Sequence, residues 1–201
     1  SAYSLKRGDS VYVSKDEVIE GNLYAVGSNL TIEGKITGDV ICAGQSINIS
    51  GDVAGDVICA GPSININGKV GGSLRLAGNA INFSGQAARN AMAFGATVVT
   101  SASSSVGWDF LTYAGALDLR GNIGRDLNGG SGKANLAGQT GGNVNLNFGR
   151  KNKDNQTLTI ANTAKIRSPG FFPTQKKMCD FGLKFWNKKG RPYSYAMHTG
   201  R

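Results

Sequence analysis

The chain is poor in the residues on which enzymes and disulfide-rich proteins depend. Its 201 residues include one histidine, three cysteines and four prolines. The histidine, His198, has no cysteine or carboxylate partner placed by a motif, so no nucleophilic site is indicated. An odd number of cysteines in a chain of this length does not indicate a disulfide framework. The sequence therefore predicts no catalytic residue, no cofactor and no metal site.

Long apolar segments are also missing. The chain has no apolar run of the roughly 18 residues that a membrane-spanning helix needs. It begins with Ser1 rather than Met, which we interpret as processing or truncation, so an exported form stays open beside a cytoplasmic one.

Charge is scarce over most of the chain and concentrated at its end. The net charge is +9, but residues 1–149 hold 10 Lys+Arg and 11 Asp+Glu, a net of −1. Residues 150–201 hold 12 Lys+Arg and 2 Asp+Glu, a net of +10. Any attraction to nucleic acid or to an anionic membrane is therefore expected of the C-terminal segment alone.

Glycine is abundant, with 30 residues, and much of it falls at fixed positions of a 17-residue repeat. The plainest copies are residues 38–54 and 55–71. Residues 101–105 hold one two-residue insertion, as an exposed corner would tolerate. The successive copies begin at Gly21, Gly38, Gly55, Gly72, Arg89, Trp108, Arg125 and Gly142. A repeat of this length is typical of a solenoid.

Within each copy, apolar and polar residues alternate as they do in β-strands. Ile47, Asn48 and Ile49 show the pattern, which fits no helical period. We predict an all-β fold, a single-stranded parallel β-helix of about eight coils with three short strands each. Residues 1–20 would lead into the repeat, residues 21–166 would form the solenoid and residues 167–201 a separate tail. The seventh coil should be weakest, because Gly129 and Ala134 replace larger residues there.

Two columns of stacked residues could carry chemistry. Cys42 and Cys59 are 17 residues apart and stack within reach of a disulfide, but we favour two buried thiols. Asp39 and Asp56, with Asp52 on a neighbouring corner, could hold a cation. An acidic residue directly after glycine is also ordinary turn chemistry, which we favour.

Other motifs are weak as enzyme signals. Asn48, Asn65 and Asn82 form a column that could recognise glycans, although a structural ladder of hydrogen-bonded amides is the simpler interpretation. Residues 130–134 resemble a phosphate-binding loop but lack its first glycine and the hydroxyl residue after lysine. A carbohydrate-active enzyme would need charged residues clustered on long loops, and these corners are short.

The tail from Ser168 interleaves aromatic residues with lysines and breaks the repeat. We rank a cap over the last coil, or disorder, first, contact with an anionic membrane second and nucleic acid last. A segment unrelated to the design of the repeat is the remaining alternative. The membrane-contact candidates are Phe181, Phe185, Trp186, Lys184, Lys188 and Lys189.

The motifs Gly-Asp-Val, Ala-Gly, Ile-Asn-Ile and Gly-(Asp/Lys)-Val in residues 38–71 resemble the bactofilin family of polymer-forming bacterial cytoskeletal proteins. The likeness covers about residues 18–147, and residues 6–13 and 18–23 are similar to the segment that leads into the repeat in envelope-associated relatives. The resemblance implies a right-handed triangular β-helix that polymerises end to end without nucleotide and scaffolds envelope or membrane clients. It also implies that the protein is located at the cytoplasmic face of the cell envelope.

End-to-end polymerisation agrees with the physics of a solenoid that has open strand edges at both ends. We therefore expect a non-enzymatic scaffold whose main partner is itself, with a surface glycan-binding β-helix as the alternative. The expected polymer contacts belong to the first and last coils: Leu23, Leu30, Ile32, Leu136, Val144 and Leu146.

Overall fold

The computed structural model describes residues 3–147, 157–166, 185–186 and 192–193, and these form strands and turns without a helix. The strands are β1 (Tyr3–Val13), β2 (Val18–Ile19), β3 (Asn22–Ile32), β4 (Lys35–Ile36), β5 (Val40–Ile49), β6 (Val57–Ile66), β7 (Lys69–Val70), β8 (Leu74–Phe83), β9 (Gln86–Ala87), β10 (Ala91–Thr100), β11 (Ser105–Val106), β12 (Phe110–Leu119), β13 (Asn122–Ile123), β14 (Leu127–Leu136), β15 (Gln139–Thr140), β16 (Val144–Asn147), β17 (Thr157–Ile160), β18 (Lys165–Ile166), β19 (Phe185–Trp186) and β20 (Pro192–Tyr193).

The long strands stack in parallel, one per coil, in the order β1-β3-β5-β6-β8-β10-β12-β14-β16, and β17 also pairs with β14. Equivalent residues pair from coil to coil, for example Ile47 with Ile64 and Ile64 with Ile81. The short strands form a second parallel ladder on another side. The chain is thus an all-β solenoid of about nine turns, which confirms the predicted fold class.

The N-terminal segment forms a coil of its own. β1 pairs with β3 from Tyr3↔Asn22 to Val13↔Ile32, a step of 19 residues rather than 17. The sequence prediction of about eight coils and a separate lead-in segment missed this coil. It lacks the glycine that opens five of the other eight copies, and its longer step hides the repeat.

Most coils have one long and one short strand, where three short strands were predicted. In the coil of β5, single bridges at Val53 replace the short strand, and in the last described coil β16 and β17 replace the long one. In β5 the buried residues are Val40 and Cys42, then Ile47 and Ile49, so the strand turns a corner between the two pairs without losing its pairing. Gly44 lies at this corner, where a Cβ would approach the Gly27 carbonyl oxygen to 2.6 Å. The first two predicted strands are therefore one continuous strand that covers two faces of the solenoid.

The core consists of aliphatic columns that run along the solenoid axis. Ile36, Val53 and Val70 stack on the third face, at most 2% exposed, through single bridges that join β4 to β7. Pairing of equivalent strands satisfies the backbone hydrogen bonds, and it stacks equivalent side chains so that they bury apolar surface. The largest fully buried side chains are Leu23, Leu30, Ile32, Ile36, Ile47, Ile49, Ile64, Ile66, Leu74, Ile81, Leu127 and Val13.

Cys42 and Cys59 form a disulfide, so the preference for two free thiols was wrong. Their Cα atoms lie 4.6 Å apart, as neighbouring rungs require, and both side chains point into the core. That separation is within the range of disulfides. The bond cross-links two adjacent coils at the point where their strands already pair.

Two-residue insertions occur at one corner in three coils rather than one. The predicted insertion is confirmed as a turn in which the Ser104 amide donates to the Ser101 carbonyl. The same turn occurs in the first coil, from Glu17 to Ser14, and in the last described coil, from Ala164 to Ala161. This corner therefore accepts extra residues without disturbing the register of the strands that follow.

The predicted thinning of the core is present in β14. Gly129 occupies the inward column that holds Thr112 in the coil before it and Leu146 in the coil after it. Thr112 is fully buried and its hydroxyl donates to the Ala93 carbonyl at 2.9 Å. Gly129 has a φ of +141° and lies against the Thr112 carbonyl, so no side chain fits at this rung.

Candidate interaction surface

The outward residues of the first half of the long strands from β1 to β12 form an apolar surface, which we call the apolar face. It comprises two columns that are stacked in register. The columns are Leu5, Tyr24, Ile41, Ile58, Arg75, Met92 and Leu111, and Arg7, Val26, Ala43, Ala60, Ala77, Phe94 and Tyr113.

The apolar face is exposed. Of the ten exposed large hydrophobic residues in the described chain, seven lie on it or at its first rung. They include Leu5 at 62%, Val26 at 54% and Tyr113 at 51%. The rings of Phe94 and Tyr113 stack with their centroids 6.2 Å apart. A contiguous apolar patch of this kind marks an interaction site in a soluble protein, because leaving it in water costs free energy.

Charges interrupt the apolar face at two points only, Arg7 and Arg75. Arg75 donates to Asp56 at 2.6 Å, and this hydrogen bond is the main cause that holds the pKa of Asp56 below its usual value. The backbone amide of Ser73 lowers the pKa further. The charge of Arg75 is thus balanced by Asp56 of the preceding rung.

The next face is polar. Asn65 donates its side-chain amide to Asn48 at 2.9 Å, and Asn82 donates to Asn65 at 3.0 Å. Asn135 donates in the same way to Asp118, whose pKa is lowered mainly by the hydrogen bond from Arg120. The predicted amide ladder is confirmed.

The row of Asx residues that comes directly before, or at the first residue of, the long strands is structural. The Asp39 carboxylate accepts the Asp56 amide at 2.8 Å, and the Asp56 carboxylate accepts the Ser73 amide at 2.8 Å. Asn22 and Asp126 make the same bond in other coils. These side chains accept hydrogen bonds from backbone amides of the next rung, as the turn interpretation predicted. The described residues contain no cluster of three potential metal ligands.

A corner of the later coils carries an arginine–tryptophan–arginine stack that the sequence analysis missed. The guanidinium carbons of Arg89 and Arg125 lie 5.8 and 4.9 Å from the centre of the Trp108 ring, one on each neighbouring rung. Each contact is a cation–π interaction. The signal was in the sequence, since these three residues replace glycine at the start of successive repeats.

The expected polymer contacts lie inside the core rather than on an end surface. Leu23, Leu30 and Ile32 are fully buried beneath β1, which pairs with them rung for rung. The sequence analysis placed these residues at the end of the stack because the N-terminal coil was not recognised.

The C-terminal contact candidates are also buried. Leu136, Val144 and Leu146 are 5%, 0% and 4% exposed. Leu136 pairs with Ile160 of β17, so a further rung lies over it. The half-buried apolar residues of this end are instead Leu158, Ile160 and Ile166.

The N-terminal rung ends in a polar pair. Lys6 occupies the inward position that Ala25 fills in the next coil, and its ammonium donates to the Glu17 carboxylate at 2.8 Å. This hydrogen bond is the main cause that lowers the pKa of Glu17. The two ends of the described stack therefore differ, one with an ion pair and one with apolar side chains.

Four of the six membrane-contact candidates lie outside the described residues: Phe181, Lys184, Lys188 and Lys189. His198 also lies outside them. Phe185 and Trp186 form β19, which pairs antiparallel with β20. The β19 backbone comes within 8 Å, Cα to Cα, of β18. β19 therefore lies beside the short strand of the last described coil.

The phosphate-loop resemblance has no structural support, because residues 130–134 lie inside β14 and precede no helix. No helix in the described part of the chain is long and apolar enough to cross a bilayer. No protein-family model, no curated protein and no solved structure matches the chain.

Proposed function

We propose that the chain is a non-enzymatic structural scaffold that self-assembles end to end, without nucleotide, at a bacterial cell envelope, in the manner of bactofilin-like proteins. One observation carries the proposal. β1 is an 11-residue strand with a neighbour on one side only in the described sheet, so its backbone offers a long parallel edge.

The opposite end of the described stack complements this edge. β17 pairs with β14 alone among the described strands, and Leu158 and Ile160 on it are half-buried. Two unlike ends that match head to tail generate an open filament rather than a closed dimer. The Lys6–Glu17 pair can be covered in such a contact because its charges are already matched, although burial costs desolvation energy.

The disulfide favours an oxidising compartment for the scaffold. Such bonds are rare in the cytosol, where thiols are kept reduced. Cys42 and Cys59 therefore support an exported form, outside the cytoplasmic face that the family resemblance implies. Thiol labelling in denaturant of protein purified from its native source, with and without reductant, tests this point, because both cysteines are buried in the fold. Labelling of both cysteines without reductant contradicts it.

The edge of β1 supplies a sharp test of end-to-end assembly. The Glu33 amide donates to the Val13 carbonyl, so the backbone groups of Val13 point towards β3. Backbone groups of successive residues in a strand point to alternate sides, and Ser10 is three residues before Val13. The Ser10 amide therefore points to the open edge. Ser10→Pro removes that donor where proline is tolerated, and Ser10→Ala is the matched control. Negative-stain microscopy should show filaments for the natural chain and Ser10→Ala, and their loss for Ser10→Pro. Single rods in every sample would contradict the proposal.

A surface glycan-binding module is the second candidate. The polar face favours it, because it presents amide and hydroxyl groups at the ~4.8 Å repeat of the strands, Asn48 and Asn65 among them. Retention of the protein on envelope polysaccharide, lost in Asn65→Leu, would favour this function over the scaffold.

The tail remains our candidate for contact with an anionic membrane, because residues 150–201 carry a net charge of +10. Sedimentation with anionic liposomes at low and high salt tests it. Binding that persists unchanged at high salt would contradict an electrostatic contact.

A further inference from the structure

Two solenoids that meet along the apolar face and the two polar rungs beyond it can bury enough area for an interface. The seven rungs of the apolar face, with the rungs of β14 and β16, at ~4.8 Å each and a width of four residues at ~3.3 Å, give about 560 Å² per copy, or about 1,100 Å² for two. A specific interface needs roughly 1,000 Å² in total. The face is also exposed along its length, so an occupant has to remove it from water.

The size of its side chains varies along the face in a complementary way. Ala43 and Ala60 lie on successive rungs before the rung of Arg75, and Phe94 and Tyr113 lie on the two rungs after it. When two copies meet with their axes antiparallel and the Arg75 rungs aligned, Phe94 lies opposite Ala60 and Tyr113 opposite Ala43. Large against small on these four rungs keeps the two sheets at a constant spacing of ~10 Å on both sides of the Arg75 rung.

The second column agrees with the same alignment. Ile58 then lies opposite Met92, and Ile41 opposite Leu111, so apolar side chains cover one another. Arg75 lies on the two-fold axis, where its Asp56 partner already neutralises it at 2.6 Å. A two-fold contact uses the same surface patch on both copies, which is the commonest symmetry of protein dimers.

We propose that the apolar face binds the apolar face of a second copy of this chain, in an antiparallel pair with the Arg75 rungs aligned. The pair rests on the proposed scaffold function, to which it adds lateral association of rods. It does not use the strand edges, so it can form when end-to-end assembly is blocked.

Charge substitution across the two-fold axis tests the pair. Ala60→Glu and Phe94→Lys each place a charge opposite an apolar group, and we expect each to weaken dimerisation at least tenfold. Together they create two Glu–Lys pairs per dimer, so the double variant should regain most of the affinity. Ala80→Glu, on the polar face, is the matched control and should leave dimerisation unchanged.

The measurement is size-exclusion chromatography with light scattering in the Ser10→Pro chain, where filaments do not obscure the dimer. Circular dichroism verifies that each variant is folded. A monomer at all concentrations, association that both single variants leave unchanged, or single losses that the double variant does not restore would each overturn the pair. Filament loss or retention in the Ser10 series is read separately, so failure of the pair and failure of end-to-end assembly are distinguishable.

Discussion

The apolar and polar faces belong to the same strands yet meet solvent in opposite ways. In β5, Ile41 and Ala43 point outward before the corner, and Ser46 and Asn48 point outward after it. The inward residues of both halves are equally apolar, because the core demands it. The fold therefore requires apolar side chains on the inward side of both faces and requires nothing of the outward side chains. Apolar outward side chains on one face alone therefore indicate a role other than folding.

The largest expected effect compares an inward with an outward isoleucine of the same strand, each replaced by alanine. Ile64 is fully buried and Ile58, six residues earlier in β6, is 40% exposed on the apolar face. We expect Ile64→Ala to lower the free energy of unfolding by about 3 kcal/mol and Ile58→Ala by less than about 1 kcal/mol. Urea unfolding of the disulfide-intact proteins measures both. Equal losses would mean that the apolar face is part of the core.

The disulfide ties two coils together behind the apolar face. Replacing Cys42 and Cys59 with alanine opens a loop of 17 residues and should cost about 3 kcal/mol. The double variant should unfold at the same temperature with and without reductant, whereas the natural chain should lose stability on reduction. Thermal melts of the two proteins, each with and without reductant, give the answer; a natural chain insensitive to reductant contradicts it.

The corner between the two faces depends on glycine. A Cβ at Gly61 would overlap the Gly44 carbonyl oxygen of the preceding rung. We expect Gly61→Ala to destabilise the chain by roughly 1–3 kcal/mol. Ala114 holds the equivalent site in β12, so Ala114→Gly should cost less. Chemical denaturation compares the two; equal stability of Gly61→Ala and the natural chain would show that the corner yields.

The smallest expected effect is on stability in acid, and it involves two carboxylates, Asp56 beside the apolar face and Asp118 on the polar face. Arg75 and Arg120 hold the pKa values of Asp56 and Asp118 below their usual range. Each carboxylate therefore stabilises the fold above its unfolded pKa of about 3.9, and this is lost as pH falls through the lower folded pKa. Asp56→Asn and Asp118→Asn should each flatten the decline of melting temperature below pH ~4, by less than about 1 kcal/mol. An unchanged decline in both variants would exclude these pairs as its source.

The sequence determined the inside of the fold more fully than its outside. Inward columns such as Ile47, Ile64 and Ile81 recur because every rung must fill the same core, so a period could be read. The first coil was not recognised in the sequence, because Ser4 and Lys6 occupy the inward positions that Leu23 and Ala25 occupy one coil later. An end rung has solvent on one side and need not be apolar.

The candidate surface could not be recognised from the repeat alone. Ile41 and Ile58 resemble core residues in composition, and only the alternation within the strand, once fixed by the corner, assigns them to the outside. Arg75 interrupts their column, which hides its continuity. The disulfide was within reach by spacing, but spacing does not determine the oxidation state of two stacked thiols.

Sedimentation velocity of the full chain over a hundredfold range of concentration tests most directly the claim that the protein is a self-assembling scaffold. The scaffold account predicts that the sedimentation coefficient rises with concentration, through dimers to larger polymers, without nucleotide. One boundary at the monomer value across the whole range would contradict it.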